Sequence, residues 1–133
     1  MAALVPGATG RPWFGDRKVD PKCRWAESQA LGSASLLLDV KAWPSKREAA
    51  KWYERYRRMG KNPSQTRSID ETGDQAYSWI EASSGGYKAE VQARTGSYTT
   101  IIQLDNGKGA SRESVERRLI DALRATVRAV RDQ

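Results

Sequence analysis

Asp70, Glu71 and Asp74 crowd three carboxylates into five residues, the densest acidic cluster in the chain. Clustered oxygens suit a hard cation such as calcium or magnesium, but a dedicated cation loop spaces its ligands alternately and this one does not. Asp and Gly ahead of a strand are ordinary turn chemistry, and Gly73 sits between these acids. The remaining chemistry is thin. There is no histidine among 133 residues and one cysteine, Cys23. That composition removes Ser-His-Asp and Cys-His catalysis, the commonest metal ligand, thiolate metal clusters and any disulfide within the chain. No carboxylate pair has the spacing of an acid–base couple. The sequence therefore assigns no catalytic, metal-ligating or cofactor-binding residue, and the expectation is a protein that is not an enzyme and uses no cofactor.

What the chain offers instead is positive charge and aromatic surface. The net charge is +7 and the pI near 9.8, which favours anionic neighbours: nucleic acid, anionic lipid headgroups or a cell-wall polymer. Arg47, Lys51, Arg58 and Lys61 fall opposite the apolar stripe of one predicted helix, and Arg117, Arg124, Arg128 and Arg131 opposite that of another. If both helices cover one sheet face, these rows form a single basic surface. Glu54 lies within i, i+3 and i, i+4 reach of Lys51 and Arg58, so local pairs absorb part of the charge. Trp13, Trp43 and Trp79 fall near loops or on the strand phase away from the expected core. Tyr77 in phase with Trp79 makes an aromatic ledge. The candidate partner contacts are Tyr77 and Trp79 on the sheet with Arg58, Arg124 and Arg128 on the helices.

The elements that must position these groups follow from pattern. Residues 1–22 are rich in Gly and Pro and read as an irregular lead-in to a single domain over 23–133. A short strand is expected from Cys23 and a stronger one at Ser35–Trp43. Pro44-Ser45 opens a helix with Ser45 as N-cap and Glu48 three residues on. Ala49, Trp52, Tyr53 and Tyr56 give it one i, i+3, i+4, i+7 face, and Gly60 and Pro63 stop it. After a polar loop over 61–74 come strands at about Gln75–Ala82, Tyr87–Arg94 and Tyr98–Leu104. In the middle one Tyr87, Ala89, Val91 and Ala93 alternate with Lys88, Glu90, Gln92 and Arg94, the mark of a sheet with one face packed and one wetted. Ser111 caps a last helix to about Arg131. The order β-β-α-β-β-β-α predicts an α+β domain: an antiparallel sheet of about four to five strands with two helices on one face. No apolar run is long enough to span a bilayer.

From Ser45 onward the order α-β-β-β-α resembles that of double-stranded-RNA-binding domains. Gly107-Lys108-Gly109-Ala110-Ser111-Arg112 is similar to the phosphate-gripping start of their second helix. Glu113, Ser114 and Glu116 then stand where that family carries basic residues. A nucleic-acid-binding module is the alternative function.

A broader likeness runs nearly the length of the chain. Leu4-Val5-Pro6-Gly7-Ala8 is followed by Cys23-Arg24-Trp25, the apolar strand, and the helix with Ala49-Ala50-Lys51-Trp52-Tyr53. Gly73-Asp74-Gln75-Ala76-Tyr77 and Val91-Gln92-Ala93-Arg94-Thr95-Gly96-Ser97 come next. In this order the segments resemble the small extracytoplasmic domains of actinobacterial lipoproteins and membrane-anchored proteins of unknown function. The resemblance implies a non-enzymatic binding or accessory domain of the cell envelope, with an envelope ligand, protein or anionic polymer as partner. Those proteins begin with a signal sequence or anchor and carry a further cysteine ahead of the Leu-Val-Pro-Gly-like segment. It implies that Met1 is not the natural start and that Cys23 has a disulfide partner upstream of it.

Overall fold

The structure, a computed structural model, describes the backbone of residues 9–14 and 21–26 and all atoms of residues 34–83, 85–108 and 111–132. Its body is an α+β unit of five antiparallel strands and two helices in the order β-α-β-β-β-β-α. These are β3 (Ser35–Ala42), α1 (Lys46–Arg58), β4 (Thr66–Ser68), β5 (Gln75–Ser83), β6 (Gly86–Thr95), β7 (Tyr98–Gly107) and α2 (Arg112–Arg131). Two earlier strands, β1 (Thr9–Phe14) and β2 (Pro21–Ala26), extend the sheet beyond β3. The strand order is β1-β2-β3-β7-β6-β5-β4.

β1 corrects the expected irregular lead-in. Pro12 and the flanking glycines argue against a strand, yet a proline is tolerated on an edge strand, which is where β1 lies. Cys23 falls in β2, in register with Pro12 of β1 and Leu38 of β3. Its side chain, with those of Trp13 and Trp25, lies outside the described residues. The three-residue β4 sits inside the segment expected to be a loop, paired with Tyr77–Trp79 of β5.

Each helix starts where its cap predicts. The Ser45 hydroxyl accepts the Glu48 amide at 3.1 Å, and the Ser111 hydroxyl accepts the Ser114 amide at 3.1 Å. α2 buries Val115, Leu119, Leu123 and Val127 against Leu36, Ile80, Val91, Ile102 and Leu104. Full burial of each such side chain stabilises by roughly 1.5–3 kcal/mol, so this face is the principal core.

α1 does not share that face. Register places Tyr77, Gln92, Ile101 and Asp39 in one row across β5, β6, β7 and β3, and Ser78, Val91, Ile102 and Leu38 in the next. Successive residues point to opposite faces, so the row containing Val91 and Ile102 faces α2 and the row containing Tyr77 faces away. The Tyr53 ring of α1 meets Tyr77 edge-on with centroids 5.6 Å apart. The two helices therefore cover opposite faces of the sheet, which corrects the expected placement on one face. It also corrects the expected wetted face: Glu90 and Gln92 alternate outward from the α2 core as anticipated, yet both are buried under α1.

Candidate contact surface and the polar network beneath it

Two constellations lie on the α1 side. The first is internal. Glu90 of β6 accepts a short hydrogen bond from the Tyr77 hydroxyl and another from Gln103 Nε2 at 2.8 Å. Lys61, just past α1, places Nζ 2.5 Å from Glu90 Oε2, and both side chains are more than nine-tenths buried. The same ammonium donates to the carbonyls of Tyr56 at 2.5 Å and Met59 at 3.1 Å, the unsatisfied end of α1. Burial, with the Glu90 carboxylate as the next contributor, pushes the Tyr77 phenol far above its ordinary range. Burial also pushes Tyr53 up to about 12. Gln92, at 0 % exposure, has no partner for either end of its amide.

Tyr77, Glu90, Gln103 and Lys61 are committed to one another rather than presented to a substrate. Lys61 directs its Nζ at three oxygens, the Glu90 carboxylate and the carbonyls of Tyr56 and Met59, which leaves it no open side toward a substrate. Sequence pattern placed Lys61 in an exposed basic row; its burial and pairing with Glu90 correct that.

The second constellation faces outward. Trp43, at the end of β3, stacks on Trp52 of α1 with centroids 5.2 Å apart and planes 13° from parallel. Tyr56 follows at 5.9 Å from Trp52. Trp43 is held by its backbone N–H to Ser97 at 2.9 Å and by its indole N–H to Thr99 Oγ1 at 2.8 Å. Lys41 Nζ lies 4.3 Å above the Trp43 ring and the Arg55 guanidinium 4.9 Å from the centre of Trp52. Positions 52, 55, 56 and 59 recur at i, i+3, i+4, i+7, so Met59 extends the same flank. Met59 is 52 % exposed, the one large apolar side chain exposed among the described residues. Beside it a shallow depression is lined by Lys51, Glu54, Arg55, Arg58 and Met59. α1 carries six cationic side chains against two carboxylates.

The expected contact residues divide between these places. Tyr77 and Trp79 do not form a ledge: Tyr77 is 0 % and Trp79 6 % exposed, covered from the α1 side. Their strand phase was read as facing away from the core, which is correct, but α1 closes that face. Arg58 is exposed on α1 and pairs with Glu54 at 3.0 Å. Arg124 lies on α2, donating to Thr72 Oγ1 at 3.0 Å and to the Asp70 carbonyl at 3.3 Å, and Arg128 is exposed farther along that helix. The sheet separates Arg58 from both, so the two basic rows form no common surface. A cleft of about 280 Å³ between α2 and β4 mixes four arginines with three carboxylates and has no dominant sign.

The motif segments read in the sequence clasp each other. Asp74 Oδ2 accepts the Gly96 amide at 2.8 Å and lies 3.4 Å from Arg94, while the Asp74 amide donates to the Arg94 carbonyl at 2.7 Å. Arg94 also donates to Gln75 and to the Gly96 carbonyl. The Asp74 carboxylate is thus committed to the β6–β7 turn. Trp43, near a loop, and Trp52 and Tyr56, four apart on α1, were within reach of sequence reasoning, with Met59 the C-cap just past that helix. Lys61, Gln92 and Gln103 carried no such signal.

No family model, curated protein or solved structure matches this chain. Among the described residues no helix is long and apolar enough to cross a membrane.

Proposed function

We propose that this chain is a non-enzymatic binding or accessory domain acting outside the cytoplasm, at a bacterial cell envelope, with the Trp43–Trp52 flank of α1 as its contact surface. The observation that carries the reading is that flank: two stacked indoles, a tyrosine and an exposed methionine bordered by Lys41, Lys51, Arg55 and Arg58. Half-buried aromatic rings edged by cations suit recognition of a partner. The absence of turnover is supported by the commitment of Glu90, Tyr77 and Lys61 to one another. The envelope location rests on the ordered likeness of the Cys-x-Trp, Gly-Asp-x-Ala-Tyr and Arg-x-Gly segments to extracytoplasmic domains.

Fractionation of the natural protein from its own cells, with thiol labelling before and after reduction, tests this reading. The expected result is an envelope-associated protein whose Cys23 labels only after reduction. A cytosolic pool with freely labelled Cys23 would overturn it.

A further inference from the structure

The outer flank of α1 combines two properties that seldom share one surface. It sets Lys51, Arg55 and Arg58 against one carboxylate, Glu54, and it bears the one large apolar side chain that is exposed among the described residues. A polyanion such as nucleic acid uses the first and gains nothing from Met59. A second copy of this chain, docking the same surface, would set Lys51, Arg55 and Arg58 against their own counterparts. A bilayer rich in acidic phospholipid uses both, because it presents negative headgroups above hydrocarbon. Tyrosine and tryptophan, with apolar bodies and polar tips, settle at that boundary, and Lys and Arg lay their stems along apolar surface while their charges stay in water. Lys41 over Trp43 and Arg55 beside Trp52 hold charge and ring at one level.

We propose that the α1 flank formed by Trp43, Trp52, Tyr56 and Met59, with Lys41, Lys51, Arg55 and Arg58, docks reversibly on an anionic phospholipid surface. This names the partner of the contact surface proposed above and rests on that reading. Met59 and the outer edges of the indoles enter the headgroup layer, and the cations take up phosphate, each contributing about fivefold in affinity. Glu54, which lines the same depression and pairs with Arg57 and Arg58, opposes part of that attraction.

The test uses the purified full chain with vesicles of phosphatidylcholine alone and of phosphatidylcholine and phosphatidylglycerol in equal parts. Co-sedimentation with the anionic vesicles alone is expected, accompanied by a blue shift of tryptophan emission. Met59→Asp should abolish the shift, and Lys51→Glu with Arg55→Glu should weaken binding at least about tenfold. These positions are solvent-facing, and circular dichroism verifies that the variants stay folded. Arg128→Glu, on the opposite side of the sheet, should bind like the parent. Absence of binding to anionic vesicles overturns the proposal. So does an equal loss from Arg128→Glu, which would indicate diffuse charge attraction. Sedimentation of the parent with anionic vesicles without a spectral shift, retained undiminished in Met59→Asp, overturns it too, because attraction of charge alone then accounts for the contact. Self-association without vesicles, lost in Met59→Asp, would assign it to a second copy. Vesicle binding is read on purified protein and the envelope location in fractionated cells, so failure of one is distinguishable from failure of the other.

Discussion

Among the described residues Lys61 and Glu90 make the one ion pair with both side chains more than nine-tenths buried, each facing the other's charge. Withdrawing one partner from such a pair leaves an uncompensated ion in a poorly hydrated site. Lys61→Ala should therefore destabilise by about 3–5 kcal/mol, seen as a lower urea midpoint at unchanged slope. Glu90→Gln keeps acceptors and donors for Tyr77 and Gln103 but strands the Lys61 ammonium, and should fall in the same range. The tyrosines above this pair govern alkaline behaviour. Folding raises the Tyr53 phenol from the ordinary 10.0 to about 12 and Tyr77 higher still. A raised pKa means that the unfolded state loses its protons first. The contribution is complete below pH 10.0 and drains away as pH climbs toward about 12. Chemical denaturation across that window should show falling stability, with phenolate absorbance of these two rings appearing only as the protein unfolds. Early phenolate formation at both Tyr53 and Tyr77 in the native protein would contradict their burial.

At the scale of elements, the clasp between the β5 approach and the β6–β7 turn explains why a glycine stands at position 73. Gly73 has φ +61, and a β-carbon there would sit 2.6 Å from the Arg94 carbonyl oxygen and 2.9 Å from Thr95 Oγ1. Gly60 has a similar φ of +65 with nothing within 4 Å. Gly60→Ala should cost only the left-handed backbone penalty, about 1–2 kcal/mol, whereas Gly73→Ala must also push backbone apart and should cost clearly more. Equal thermal shifts for the two would dismiss the close approach. The same comparison marks how far sequence reading reached. Both helix caps and the alternation of β6 were legible, since each is a local pattern with a local cause. β1 was not, because Pro12 and its glycines disguise an edge strand. Nor was the cover over Tyr77, Trp79, Glu90 and Gln92. Alternation states which residues share a face, but a polar face can meet water or be sealed by an aromatic helix bringing one lysine. Trp52 carried two roles that periodicity cannot separate: it flanks the buried stripe of α1 and also stacks outward on Trp43.

Across the whole molecule, a sheet between two basic helices decides how charge can be used. Cations on one face would act together on a single polyanion. Here Arg58 and Arg128 look out from opposite sides, so no rigid duplex reaches both at once. Arg58→Glu and Arg128→Glu should accordingly weaken any attraction to a short RNA duplex by similar small factors. Their double substitution should equal the sum of the two free-energy changes within about 0.5 kcal/mol. Fluorescence anisotropy over a salt series reads both the coupling and the number of phosphates engaged, since a continuous basic surface gives a steep salt slope and scattered cations a shallow one. A shallow slope with additive substitutions is the expected outcome. Strong coupling between the two arginines would require both helices to grip one ligand, which the separation of their faces by the sheet forbids. The α1 flank differs in kind from that scattered charge, because its cations surround apolar rings and an exposed methionine, and apolar contact is not screened by salt. A ligand specific to it should therefore keep the apolar part of its affinity in added salt, while the part carried by Lys51, Arg55 and Arg58 is screened.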